Sequence, residues 1–220
     1  MSASKLLIVG QEKLGKTTLT SKIDKAFVVS IDGKAYPFKV PYYRPSKYSG
    51  LANFRTELIE KLKAYKAKHG EKPQTVVFDT VTKLYENMYK YAQANFKGFD
   101  VHNTISTETL SFNDMIEDLL IANGVNVVIT AHVVYDEKTT RYTVPATGQF
   151  SKSGSWLSLV DNASFIFVQG NTRMIAHSEL KYPARTTVDM GKSEKLADYS
   201  INDHMDKLMT SQNENAEYAL

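Results

Sequence analysis

The run Gly10-Gln11-Glu12-Lys13-Leu14-Gly15-Lys16-Thr17, followed by Thr18, lies between the apolar stretch LLIV and a segment of helical character. Two glycines with four residues between them, followed at once by lysine and a hydroxyl residue, make a loop whose backbone N–H groups converge on phosphate oxygens. The glycines permit the backbone conformations that this convergence needs. Lys16 is then placed to reach β and γ phosphates, and the Thr17 hydroxyl to join a Mg²⁺ shell that otherwise consists mostly of water and phosphate oxygen. A later run, Gly191-Lys192-Ser193, has the same ending, but the earlier glycine it would require is Thr186.

Such a loop works with a carboxylate that holds the metal's water shell. Asp79 closes the apolar strand TVVFD (75–79), which places it beside the strand feeding the loop. Asp79 or Thr80 also suits the N-cap of the helix that follows, and the two roles are compatible. The long stretch between Thr17 and Asp79 holds at least one more strand and helix, so other strands are expected to intervene before Asp79 joins the sheet.

Strands are read at 6–10, 27–31, 38–40, 75–79, 125–132 and 163–170, with a hairpin strand within 173–180. Helices are read at 16–25, 51–69, 81–96 and 108–123, with a polar segment at 97–106. This alternation, with near-continuous apolar strands, predicts an α/β fold: a mostly parallel sheet covered by helices on both faces. Residues 1–200 are expected to form the core and 201–220 an acidic, flexible tail. The segment 135–157 is long for a connection and rich in polar, basic and aromatic residues, which marks it as a candidate functional loop.

Zero cysteines exclude a thiol nucleophile and thiolate metal sites. No apolar run is long enough to span a bilayer and none resembles a signal-peptide core, so a soluble, cytoplasmic chain without membrane contact is expected. Residues 1–72 carry 15 Lys and Arg against 6 Asp and Glu, while the remainder carries 12 against 18. That asymmetry fits either a polyanion-binding face or a solvated basic helix.

The phosphate loop, VVSIDGK, TVVFDT, NVVITAH, the long loop after it and RMIAHSELKYPART, in this order over residues 5–190, resemble the RecA-core P-loop ATPases. Within them they are most similar to small phage-encoded nucleotide-binding proteins of single-strand annealing and recombination. The resemblance implies a RecA-like sheet and ATP, with Mg²⁺, bound between neighbouring subunits of a filament or ring. It further implies single-stranded DNA along the assembly, a single-stranded DNA-binding protein as a further partner, and a phage-infected bacterial host. Carried onto this chain, it gives Lys16, Thr17 and Asp79 the nucleotide and metal positions. His132 becomes a γ-phosphate sensor, or else a residue satisfied at the sheet edge. Segments 135–157 and 97–107 become DNA-contacting loops. Lys138, Arg141 and Lys152 would neutralise phosphates, and Tyr135, Tyr142, Phe150 and Trp156 would stack bases unless they anchor the core. Arg185, with Lys181 second, becomes a finger reaching a neighbour's γ-phosphate, or a surface charge. The pattern departs from the family at Lys34, where a water-activating glutamate is usual; Asp32 could substitute only if the strand end shifts. Weak, DNA-stimulated ATP hydrolysis is therefore expected. A nucleotide kinase and a nucleotide-switched interaction module without turnover remain as other readings.

Overall fold

The computed structural model describes residues 3–33, 35–138, 140–146, 150 and 155–216. Strand β1 (Lys5–Gly10) enters the phosphate loop and α1 (Lys16–Thr20) leaves it. There follow β2 (Ala26–Ser30), β3 (Tyr42–Tyr43), α2 (Leu51–His69), β4 (Thr75–Asp79), α3 (Val81–Asn95) and α4 (Phe99–Leu119). The chain continues through β5 (Asn126–His132), a hairpin of β6 (Val134–Asp136) and β7 (Arg141–Thr143), β8 (Asn162–Gln169), β9 (Thr172–Ala176), β10 (Ser193–Lys195) and α5 (Ile201–Ala216). The main sheet has the order β10-β9-β8-β1-β5-β4-β2-β3. Its strands from β8 to β3 are parallel, and β9 and β10 add an antiparallel edge.

Strand periodicity divides the apolar residues between two faces. Leu7 and Val9, with Phe27, Val29, Val76, Phe78, Val127 and Ile129, face α2, α3 and α4. Leu6 and Ile8, with Val28, Val77, Val128 and Ile166, face α1 and α5. This is the mixed α/β architecture expected, with a large, mostly parallel sheet and helices on both sides.

Several local expectations are corrected by packing. Of the segment expected as a tail at 201–220, residues 201–216 are helical: Ile201, Met205 and Leu208 recur at helical spacing and bury against the sheet, and without α5 this face would meet water. The strand expected at 38–40 lies instead at Tyr42–Tyr43, where Pro41 O accepts the Val28 N–H. The segment 97–107 is helical from Phe99 onward, because Ile105, Ser106 and Thr109 turn inward with the rest of α4. Helix α1 stops at Thr20 and Lys25 takes a left-handed φ of 47°, so no helix runs to 25.

Two polar arrangements fasten the helices. Helix α2 begins after Gly50 with no local side-chain cap; Glu108 of α4 accepts the Leu51 N–H at 2.9 Å and also the Tyr48 hydroxyl. Under α5, His204 Nδ1 lies 2.7 Å from the Tyr199 hydroxyl, and His177 is held between Ser164 (3.0 Å) and Glu194 (3.2 Å). Both histidines are fully buried, their rings 5.4 Å apart. Among the described residues no helix is long and apolar enough to cross a membrane.

Candidate functional site

Parallel pairing brings the C-terminal ends of four strands into line: Gly10 opposite His132, and Ser30 opposite Asp79. Open α/β sheets bind their ligands at this edge. Strand β5 lies between β1 and β4, so Asp79 is one strand removed from the loop strand rather than beside it; the intervening strand comes after Asp79 in the chain, and β2 and β3, which precede Asp79, lie on the far side of β4.

The two motif glycines are needed for different reasons. A Cβ on Gly10 would stand 2.8 Å from Ile166 O, so β8 approaches too closely for any side chain. Gly15 has φ +100°, a conformation that side chains rarely adopt. Lys13 also sits in the left-handed region, at φ 62°. The Lys16 ammonium, almost fully buried, donates to Gly10 O at 2.8 Å and Gln11 O at 2.7 Å, and lies 3.2 Å from His132 Nδ1. Burial brings its pKa down to about 8, against the opposing pull of Asp79 and Glu12. Burial and the neighbouring Lys16 charge also lower the pKa of His132, so its ring is neutral and Nδ1 accepts from the ammonium.

Asp79 is held at both oxygens. The Thr17 hydroxyl donates to Oδ2 at 2.8 Å and the Thr130 hydroxyl to Oδ1 at 2.5 Å. Thr80 does not cap through its side chain: its hydroxyl donates to Thr130 O, and the Asp79-Thr80 peptide is cis. The paired hydroxyl and carboxylate of Thr17 and Asp79 are hard oxygen donors of the kind Mg²⁺ takes alongside phosphate and water. Among the described residues no group of three or more His, Asp or Glu could hold a metal without such a co-ligand.

Thr17, Thr18, Ser30, Asp32, Tyr36 and Asp79 share the wall of a cavity of about 270 Å³. Tyr36 donates to Thr17 O at 3.3 Å, and burial pushes its pKa up to about 12. Gln11 and Glu12 are exposed on the loop and Thr18 on α1, and Leu14 packs against the core. Sequence reading missed Thr130, Tyr36 and Arg173. Thr130 left one signal, a hydroxyl inside an apolar strand two residues before His132. Arg173 left none: it reaches the loop from β9, its Nη1 3.5 Å from where a Cβ on Gly15 would stand.

The other expected site residues lie apart from this cluster. Lys138 and Arg141 are exposed around the turn of the β6-β7 hairpin, with Tyr135 beside them. Tyr142 is half-buried, its ring 5.0 Å from Phe165 and 6.2 Å from Tyr182. Phe150 is corrected to a core residue, packed between Trp156 and Tyr85, and Trp156 is buried with it. Neither ring has a face for a base. Lys152 and Lys34 lie outside the described residues. Arg185 is no outward finger: its guanidinium donates to the carbonyls of Leu157 and Val160 in its own chain. Lys181 is exposed, over the Tyr182 ring. Since Arg185 closes the turn at 155–160, Arg185→Ala should cost on the order of 1–3 kcal/mol of stability, read as a lower urea midpoint with nucleotide affinity unchanged.

A phosphate-binding loop at the C-terminal edge of a mostly parallel sheet, with its lysine, hydroxyl and strand-end carboxylate assembled, defines a P-loop nucleotide-binding domain. The family model described as an AAA domain matches residues 2–187, and the chain belongs to that family. No curated protein matches the chain.

Proposed function

We propose that the protein is a RecA-like ATPase that binds ATP in this loop, binds single-stranded DNA, and promotes annealing or recombination as a homo-oligomer with ATP between subunits. One observation carries the reading: the Lys16 ammonium lies 3.2 Å from His132, and two residues later the chain enters an exposed hairpin bearing Tyr135, Lys138 and Arg141. A change at the phosphate end of Lys16 thus has a short covalent route to a basic, aromatic surface.

Thr17 and Asp79 are the residues that would hold Mg²⁺, which supplies charge neutralisation on the phosphates. Lys16 orients the outer phosphates, and Thr130 fixes the Asp79 carboxylate. Asp32 lines the same cavity as Thr17 and Asp79, which makes it the carboxylate for taking a proton from the attacking water. With Arg185 committed to its own chain, Arg173 in the same subunit and Lys181 toward a neighbour are the cations left for the charge of the transition state.

The test is the ATPase rate against protein concentration, with and without single-stranded DNA. Turnover should be slow in dilute protein and rise with DNA and with assembly, and Asp32→Asn should lower it about a hundredfold or more while nucleotide still binds. A fast rate, linear in protein and indifferent to DNA, would overturn the reading.

A further inference from the structure

The C-terminal edge of the sheet carries a second and larger cavity, of about 880 Å³. It lies along α3 and the segment between β3 and α2, and Asp32 belongs to its wall as well as to that of the smaller cavity at Thr17 and Asp79. Its charged lining is three lysines, Lys47, Lys83 and Lys90, against the single carboxylate of Asp32. Among the described residues Lys47 and Lys90 enter no ion pair, and Lys83 pairs only with Glu86 on its own helix, at 2.6 Å. An exposed pair of that kind is weak and yields readily to a phosphate.

The aromatic part of the cleft is fixed in place. Tyr48 and Tyr91 stand with ring centroids 5.8 Å apart at 82°, and Glu108 holds the Tyr48 hydroxyl. Lys83, Asn87, Lys90 and Tyr91 follow helical spacing, so one stripe of α3 presents two ammonium groups, a carboxamide and a ring. The cavity at the opposite edge, of about 780 Å³, makes a useful contrast. Its charged lining is Glu71, Asp206 and Lys72, and the Lys72 ammonium is already taken by Asn123 O. Of the two, the cleft along α3 is the one that combines surplus positive charge with aromatic and amide groups.

We propose that this cleft binds a second nucleotide unit, separate from the one in the phosphate loop, with its phosphate on Lys47, Lys83 and Lys90 and its base against Tyr48 and Tyr91. Cations that follow a backbone, beside rings that accept any base, are the means of sequence-tolerant recognition. The site stands on this lining alone; its assignment to a nucleotide within a DNA strand rests on the function proposed above. It adds α3 to the strand's path beyond the β6-β7 hairpin, in place of the buried Phe150 and Trp156.

The experiment titrates a fluorescent oligothymidylate with the full chain at several salt concentrations. It compares wild type, the triple variant Lys47→Ala/Lys83→Ala/Lys90→Ala, and the triple Lys→Arg variant at the same positions. The alanine variant should lose at least tenfold in affinity, and its log-log salt slope should fall by about 2, the worth of three single-strand phosphate contacts. ATP binding in the loop should be unchanged, which also reports folding, and the arginine variant should keep the strand. A second arm titrates thymidine monophosphate into Lys16→Ala, with and without the three alanines. Lysine-dependent binding of the mononucleotide by a protein that takes no strand would support the cleft and overturn the DNA reading. Strand and mononucleotide binding that ignore the three lysines, or no binding of either probe, would overturn the cleft.

Discussion

Lys16→Ala is expected to lower nucleotide affinity about a hundredfold or more while leaving the fold intact. The ammonium is the buried cation on which Gly10, Gln11 and His132 converge, and a charge-assisted contact to phosphate is among the strongest single contacts available. Its loss should not cost stability. The folded pKa of about 8 lies below the 10.5 of an exposed lysine, so at neutral pH burial of the charge works against folding by on the order of 3 kcal/mol. That penalty is full below pH 8 and fades as pH rises toward 10.5, and Lys16→Met should melt no lower than wild type at pH 7. The same pKa gives wild-type binding a pH profile: affinity should be flat below pH 8 and fall about tenfold per unit above it, because phosphate requires the protonated amine. Calorimetry across pH 7 to 9.5 checks both. A folded Lys16→Ala with unchanged affinity would remove the site from this loop.

The largest stability effect is expected from cutting the chain after Ser200. Ile201, Met205 and Leu208 complete the cluster around Leu6, Ile8, Val28 and Val128, and Leu208→Ala alone should cost about 2–5 kcal/mol. The truncated chain should bind a hydrophobic dye, lose cooperative melting and aggregate; a soluble product with the wild-type melting temperature would contradict the packing. Acid should work at the same place. Burial holds His204 neutral down to about pH 3, with the nearby His177 and Lys207 acting the same way, and among the described residues its Nε2 has no hydrogen-bond partner. Burial also lowers the pKa of His177, against the pull of Glu194. The unfolded chain takes up these protons from about pH 6.5 downward, so His204 withdraws up to about 1.4 kcal/mol per pH unit in that range, and His177 acts in the same direction. Urea midpoints between pH 7 and 4 should show a shallower loss for His204→Phe than for wild type.

The phosphate loop was legible because strand, turn and helix are set within a dozen residues, by Gly10, Gly15 and the apolar run before them. The neighbours of that loop were not, since they arrive by strand pairing over long separations. Thr130, Arg173 and Tyr36 carry no local mark of where β5, β9 and the 35–41 segment will lie. Aromatic residues misled for a related reason. Phe150 and Trp156 stand in a polar, glycine-containing stretch that reads as exposed, and only the approach of Tyr85 and Phe112 shows them to be core. At the C-terminus, acidic composition hid the spacing of three apolar residues, and that spacing decides the fold of the segment.

Glu108 has a consequence for how the molecule moves. One carboxylate ties the first turn of α2 to the middle of α4 and fixes the ring of Tyr48, where a local cap would have tied α2 only to its own loop. Helix α4 is thereby a tie-rod between the wall of the lysine-lined cleft, through Tyr48, and the head of α2, through Leu51. A ligand that orders Tyr48 is expected to slow hydrogen exchange at the Leu51 amide, because both groups bond the same carboxylate.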